Sequence, residues 1–177
     1  WFISRDRSIT HIKTSNQLLY DDGIVHAGNE FPVKFSEKVI KSLSFNLAKK
    51  LALEGFIGPF GIDFIETKFR KYYAVECNPR VTGANYPWEL VHVLNQRHGS
   101  QDSVKSARAV NIHLNKKRLT FKDLMVRWKR VLYSGDCANG IIIPFNVGPV
   151  SSGKVTVLGT GTSNEEVNDL FKFLRWN

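Results

Sequence analysis

The stretch Gly58–Gly83, GPFGIDFIETKFRKYYAVECNPRVTG, decides how the first half of this 177-residue chain folds. Two runs rich in β-branched and aromatic residues, 60–66 and 72–77, lie on either side of a short charged segment, Lys68–Lys71. Two such runs joined by a short polar connection predict an antiparallel β-hairpin. The polar residues that follow the second run then lie at the open end of that hairpin.

A four-residue loop fixes which residues of the hairpin face each other. Asp63 lies opposite Glu76, and Gly61 lies opposite Asn78. Because side chains alternate between the two faces of a strand, these four residues share one face with Ala74. The other face is apolar, and we expect it to pack in the core; its members are Phe60, Ile62, Phe64, Tyr73, Val75 and Cys77.

The acidic face of this hairpin points to a site for a metal and phosphate. Carboxylates directly opposite each other across antiparallel strands lie about 5 Å apart at Cβ, where like charges repel. A cation removes the repulsion between Asp63 and Glu76, while Asn78 adds an amide oxygen and Gly61 leaves space. This all-oxygen set suits Mg²⁺, which keeps waters and shares its remaining positions with phosphate oxygens. Arg80 can neutralise the same phosphates through two parallel hydrogen bonds.

A simpler interpretation of the same residues stays open. Asp63 and Glu76 can form a solvent-facing acidic pair balanced by lysine or arginine side chains. Asn78-Pro79 is then an ordinary turn, since this dipeptide is common in turns. The facing carboxylates together with Arg80 favour the metal and phosphate site over this alternative.

The motif Gly61-Ile62-Asp63-Phe64, followed by Val75-Glu76-Cys77-Asn78-Pro79-Arg80, resembles the metal-binding end of the ATP-grasp ligases. The resemblance covers about residues 1–97, because the upstream order of a strand pair, a loop and a helix is also similar. It implies that Asp63 and Glu76 bind Mg²⁺ (or Mn²⁺), with Glu76 bridging two ions and Asn78 as a further ligand. It also implies that Arg80 contacts the γ-phosphate of ATP and stabilises the charge that develops during transfer.

The resemblance carries an expected activity as well. ATP-grasp ligases use ATP to convert a carboxylate into an acyl phosphate, which an amine or another nucleophile then attacks. It therefore implies a ligase that forms carbon–nitrogen bonds between small-molecule carboxylate and amine substrates. The sequence Asn-Pro-Arg-Val-Thr-Gly at 78–83 is most similar to amino-acid or peptide ligases, whereas bicarbonate-using relatives carry a similar Glu-x-Asn-x-Arg.

Several parts of the family pattern have no counterpart in this chain. These are the lid with its nucleotide-binding lysines, the hinge that contacts adenine, and the N-terminal substrate-recognising region. The only methionine is Met125. We therefore expect a C-terminal fragment that needs the rest of its own chain, N-terminal to residue 1, as a partner and is inactive alone. The alternative is a nonenzymatic ATP-grasp-like binding or scaffold domain.

The predicted architecture is α+β. Residues 1–97 are expected to form the C-terminal subdomain of an ATP-grasp domain, with an antiparallel-rich sheet and flanking helices. The polar stretch 98–106 is the predicted linker, and 107–177 is predicted to be a small α+β C-terminal appendage.

Within the first region, we expect a loop over 17–32 and then a helix. Ser36 is its predicted N-cap, and Gly55 is predicted to end it. The apolar residues of its buried face follow helical spacing; they are Ile40, Leu43, Leu47 and Leu51.

Composition limits the class of protein. The chain is 42% hydrophobic and 12% aromatic, which favours a folded globular protein over a disordered one. No apolar run approaches the ~20 residues of a membrane span, and no signal-peptide pattern opens the sequence. Cys77 and Cys137 lack the spacing of a metal site, so we expect reduced thiols and a cytoplasmic protein.

The net charge of +9 is concentrated in one segment, since Lys105–Arg130 holds nine basic residues against Asp123 alone. A basic patch can attract nucleic acid, but no interleaved aromatic signature accompanies it, so a nucleic-acid-binding module is the less favoured alternative. Gly159-Thr160-Gly161-Thr162-Ser163 suggests either a phosphate-binding turn or, preferably, a helix cap. Whether the chain forms a homo-oligomer is left open.

Overall fold

The computed structural model describes residues 1–20, 23, 25–33, 37–99, 103–114, 119–144 and 153–174. Within these residues the fold is α+β, as predicted, and the strands of every sheet pair antiparallel. The strands are β1 (Phe2–Ile3), β2 (Ile9–Thr10), β3 (Asn16–Tyr20), β4 (Val25–Phe31), β5 (Gly58–Pro59), β6 (Gly61–Glu66), β7 (Tyr72–Asn78), β8 (Ser106–His113), β9 (Gly140–Ile142) and β10 (Lys154–Gly161). The helices are α1 (Glu37–Leu53), α2 (Asn85–His98), α3 (Phe121–Trp128) and α4 (Asn164–Leu174).

The chain forms two compact units that do not follow its linear order. The first unit comprises Trp1–Thr14 and Val33–Asn85, and the second comprises Ser15–Pro32 and Tyr86–Asn177. These bounds differ from the predicted segments 1–97 and 107–177, because an early piece of the chain belongs to the later unit.

That early piece is a β-hairpin, so the loop predicted over 17–32 is wrong. β3 pairs with β4, and β4 pairs with β8. Gly28 lies inside strand β4 of this hairpin, where an added Cβ would lie 1.9 Å from the carbonyl oxygen of Ala109. Gly28 therefore allows β4 to approach β8 closely, as glycine does inside some strands.

The first unit contains the sheet β2-β1-β5, the hairpin β6–β7 and α1. Helix α1 ends as predicted: Gly55 has a φ of 89° and its N–H donates to the Ala52 carbonyl, while the Phe56 N–H donates to the Leu51 carbonyl. These two bonds form a Schellman motif, which satisfies carbonyls that the helix end leaves unpaired. The predicted N-cap, Ser36, lies outside the described residues.

The buried face of α1 is displaced from the predicted one. Its buried residues are Ile40, Ser44, Ala48 and Ala52, whereas Leu43 and Leu47 are 41% and 38% exposed. The small side chains let the helix approach Trp1, whose indole Nε1–H donates to Ser44 Oγ over 3.0 Å. Close approach through small residues therefore decides which face of this helix is buried.

The second unit is a five-stranded antiparallel sheet, in the order β3-β4-β8-β10-β9. One face packs with α3 and α4 around Trp128, Leu124 and Val157, and the other packs with α2 around Val91 and Leu158. A helical layer therefore covers apolar side chains on each face of this sheet.

The described part of the predicted linker 98–106 is packed rather than free. Val104 is buried, the Lys105 N–H donates to the Gly161 carbonyl over 3.0 Å, and Ser106 begins β8. A polar stretch can therefore join two elements of one compact unit when its backbone groups find partners in the sheet.

The core around α3 gives a test of this packing. We expect Leu124→Ala to lower the free energy of unfolding by about 3 kcal/mol, because the side chain is fully buried and truncation leaves a cavity. Val126→Ala on the same helix is the control, since Val126 is 70% exposed; its effect should stay within about 0.5 kcal/mol. Urea unfolding monitored by tryptophan fluorescence measures both, and equal losses would contradict the packing.

The N-terminus of α3 provides a pH-dependent test. The hydroxyl and then the backbone N–H of Thr120 donate to Asp123 and lower the pKa of that carboxyl. The cap therefore stabilises the helix above the ordinary aspartate pKa and is lost as the pH falls through the lowered folded-state value. We expect Thr120→Val to raise the pKa of Asp123 and Thr120→Ser to keep it low, as measured by NMR titration; an unchanged value in Thr120→Val would exclude the bond.

Candidate functional site

The hairpin β6–β7 has the predicted register at its open end. Gly61 pairs with Asn78, Ile62 pairs with Cys77, and Asp63 pairs with Glu76. The two carboxylates therefore lie opposite each other, as the sequence predicts. Because paired residues share a face, Asn78 lies on the same side of the hairpin as the acidic pair.

Beyond the acidic pair the prediction is wrong, because the register shifts between Asp63 and Phe64. Phe64 pairs with Ala74, which leaves Val75 as the extra residue of a β-bulge. Ala74 therefore shares a face with Phe64 rather than with Asp63. The same shift places Tyr73 opposite Ile65, on the face that carries the acidic pair.

The predicted apolar face of the hairpin is only partly buried. Phe60 is 2% exposed and packs in the core of the first unit. Tyr73 and Val75 are each 55% exposed, and Cys77 is exposed. In the described residues, β6 and β7 form a two-stranded sheet of their own, so no third strand covers this part of it.

Arg80 follows the hairpin and turns back toward it. Its Nη2 donates to Asn78 Oδ1 over 3.0 Å, and its Nη1 donates to the Val81 carbonyl over 3.2 Å. The Arg80 N–H also donates to the Asn78 carbonyl over 2.8 Å. The structure thus brings Arg80 and Asn78 together, and an ion that binds Asn78 Oδ1 has to share or replace this guanidinium contact.

Thr82 and Asn85 lie next to Arg80 in the chain, and neither was predicted from the sequence as a site residue. The N–H and the hydroxyl of Thr82 each donate to Asn85 Oδ1 over 2.8 Å. The space above Gly61 is occupied, since a Cβ added there would lie 2.9 Å from Thr82 Cγ2. Gly61 therefore makes room for Thr82 rather than for an ion. The spacing Thr-x-x-Asn ahead of a helix was the available signal, because it resembles a capping box.

Cys77, which pairs with Ile62 next to the acidic pair, has a shifted pKa. Burial and, secondarily, the charge of Asp63 raise the pKa of the Cys77 thiol. A thiol with a raised pKa stays protonated at neutral pH, which makes Cys77 a poor nucleophile and a poor metal ligand. The donor atoms available to a cation at this site are therefore the side-chain oxygens of Asp63, Glu76 and Asn78.

The donor set fits a hard cation that keeps part of its hydration shell. Asp63 and Glu76 supply carboxylates from adjacent strands, and Asn78 supplies an amide oxygen. The described residues contain no group of three or more His, Cys, Asp or Glu side chains placed to hold a metal. An ion here would therefore take its remaining ligands from water or phosphate, which is how Mg²⁺ is usually held.

The turn Gly159–Ser163 does not offer a free anion site. Glu166 folds back over the start of α4, where its carboxylate accepts the N–H and the hydroxyl of Thr162 at 2.8 and 2.9 Å. The Glu166 N–H in turn donates to Ser163 Oγ over 3.2 Å. The carboxylate of Glu166 thus occupies the N-terminus of α4. This agrees with the expectation that the segment caps a helix and does not bind phosphate.

Along the described part of the chain, no helix is long and apolar enough to cross a membrane.

The acidic pair predicts an unusual response to mutation. We expect Glu76→Gln to raise the melting temperature by about 1–3 °C without divalent ions, because the substitution removes the repulsion between facing carboxylates. Mn²⁺ should stabilise the wild-type protein more than the variant.

Glu66→Gln, at the other end of β6, is the matched control for this prediction. Glu66 accepts from Arg70 Nη1 and from the Tyr72 hydroxyl, so its loss should not raise the melting temperature. Calorimetry measures both variants. A lower melting temperature in Glu76→Gln would mean that this carboxylate stabilises the hairpin.

Comparison with known proteins agrees with this description. Residues 1–84 match the family model of the ATP-grasp domain. The chain is also similar in structure to the phosphoribosylaminoimidazole carboxylase ATPase subunit from Aquifex aeolicus, with a TM-score of 0.60 and 17% sequence identity. That similarity covers 98% of this chain and 53% of the other, so this chain spans about half the length of that protein. No curated protein sequence matches it.

At this level of identity, the structural likeness shows a shared fold. The family match is independent of it and includes the hairpin, Asn78 and Arg80. Residues 1–84 are therefore similar in sequence to the ATP-grasp domain, and the fold of the chain agrees with that similarity.

Proposed function

We propose that this chain supplies the metal- and phosphate-binding part of an ATP-dependent carboxylate–amine ligase. The observation that carries the proposal is the register that sets Asp63 opposite Glu76 and Gly61 opposite Asn78. The guanidinium of Arg80, 3.0 Å from Asn78 Oδ1, adds a cation at the edge of this oxygen cluster. The match of residues 1–84 to the ATP-grasp family model supports ATP as the nucleotide.

Each residue of the proposed site has a separate role. Asp63 and Glu76 would hold Mg²⁺ (or Mn²⁺), with Glu76 shared by two ions, and Asn78 would be a further ligand. When bound, the ions supply positive charge to the phosphates. Arg80 contacts the γ-phosphate and stabilises the charge that develops as the phosphoryl group transfers, because a fixed guanidinium matches phosphate oxygens in geometry and charge.

The proposed reaction has two steps. A carboxylate oxygen of the substrate attacks the γ-phosphorus of ATP, the bond to the bridging oxygen breaks, and ADP leaves. The amine then attacks the acyl carbon of the acyl phosphate, inorganic phosphate leaves, and the amine nitrogen releases a proton. The chain's own contribution to both steps is to position the phosphates and neutralise their charge.

The substrates are small molecules in this proposal. The motif at 78–83 favours an amino-acid or peptide ligase. A bicarbonate-using enzyme is the second candidate, and the structural neighbour is described as the ATPase subunit of a carboxylase.

Mn²⁺ titration of the isotope-labelled chain, monitored by NMR, tests the metal site. We expect paramagnetic broadening that is selective for Asp63, Glu76 and Asn78, with and without ATP. Glu76→Gln should abolish the selectivity, because one of the two carboxylates is lost. Glu66→Gln should retain it, since Glu66 lies at the opposite end of β6.

Two other results would each count against the proposal. Absent broadening would favour the nonenzymatic binding or scaffold domain. Broadening that is spread over other acidic residues would show that the hairpin does not form a selective metal site.

A further inference from the structure

We infer that Thr82 and Asn85 are positioning residues that hold the Arg80 loop, residues 79–84, against the hairpin so that Arg80 can meet a phosphate. The inference rests on the proposed function and adds two residues to it. Neither residue is placed in contact with metal or nucleotide. Their role is to fix the backbone that carries Arg80.

The first observation is the closed set of hydrogen bonds between the two residues. Asn85 Oδ1 accepts both the N–H and the hydroxyl of Thr82, each over 2.8 Å. The Asn85 N–H donates back to the Thr82 carbonyl over 3.1 Å. Three bonds across four residues leave this turn little conformational freedom, and all of them depend on Asn85.

The second observation is the contact between Thr82 and β6. The Thr82 methyl group lies where a side chain at position 61 would be, 2.9 Å from a Cβ placed on Gly61. Gly61 is the residue that pairs with Asn78. Thr82, in the middle of the Arg80 loop, therefore packs on Gly61, the partner of the residue that precedes the loop.

Arg80 thus lies between two anchored points of the backbone. On one side its N–H is bonded to the Asn78 carbonyl; on the other, Thr82 is held by Asn85 and packs on Gly61. Arg80 itself is exposed, and ordering an exposed side chain at the moment of binding costs conformational entropy. A loop that is already fixed lowers that cost, which is how preorganisation increases affinity.

The competing explanation is that Thr82 and Asn85 only stabilise the start of α2. That role would affect thermal stability equally whether or not Arg80 is present. A positioning role requires that the effect on phosphate binding disappears when Arg80 is absent, because there is then no guanidinium to position.

The chain offers matched variants for the test. Asn85→Leu removes the acceptor of both Thr82 donors, whereas Asn85→Asp retains an oxygen at that place. Thr82→Val keeps the methyl group and removes the hydroxyl, and Thr82→Ser does the reverse. Arg80→Ala and the double variant Arg80→Ala/Asn85→Leu complete a double-mutant cycle.

The measurements are Mn²⁺ affinity alone, ATP affinity in the presence of Mn²⁺, and the backbone NMR order of Arg80 and Val81. We expect Asn85→Leu to leave Mn²⁺ affinity within twofold and to weaken ATP binding about three- to tenfold, the size of one lost hydrogen bond. The order of the Arg80 and Val81 amides should fall in this variant. Asn85→Asp should restore both readouts, and Asn85→Leu should have no further effect in the Arg80→Ala background.

The outcomes separate this inference from the proposed function. If Arg80→Ala weakens ATP binding and Asn85→Leu does not, the positioning role is wrong and the proposed function stands. If the Asn85→Leu effect is the same with and without Arg80, these residues have only a structural role. If the wild-type chain binds neither Mn²⁺ nor ATP, both the proposed function and the positioning role fail.

Discussion

The antiparallel pairing of Asp63 with Glu76 is the constraint on which the candidate site depends. Backbone hydrogen bonds hold the two strands at a fixed spacing, so the Cβ atoms of Asp63 and Glu76 stay close and their like charges disfavour the pair. In the proposed function, a bound cation would relieve this repulsion and so complete the site. Asn78 lies on the same face of the hairpin as the acidic pair, Arg80 donates to it, and the hydrogen-bonded turn Thr82–Asn85 follows directly.

The sequence predicts those parts of the fold that local chemistry decides. The helix end at Gly55 follows from the need for a left-handed residue, and the pairing at the open end of the hairpin follows from strand alternation. The β3–β4 hairpin could not be predicted in the same way. Gly28 looks like a loop residue until the neighbouring β8 is known, and only then does the close approach to Ala109 explain it. The buried face of α1 has a similar cause, because Ser44 and Ala48 are buried through a long-range contact with Trp1.

For the candidate site, the composition of the acidic face was predictable and its surroundings were not. The residues opposite each other at the open end have the expected register, but the bulge at Val75 changes the faces of Ala74 and Tyr73. A bulge depends on local twist and on the geometry of the loop, and alternation contains no information about either. Thr82 and Asn85 were missed for a related reason: their importance comes from contacts with each other and with Gly61, which a motif of charged residues does not indicate.

The way the chain passes between its two compact units affects how it can be divided. The backbone changes unit after Thr14, after Pro32 and after Asn85, whereas the family match ends at residue 84. The stretch that matches the family model therefore does not coincide with either compact unit. A cut at the end of the family match would separate β3 and β4 from the sheet they belong to. β8 would then keep β10 as a neighbour and lose β4, which exposes an unpaired strand edge of the kind that promotes aggregation.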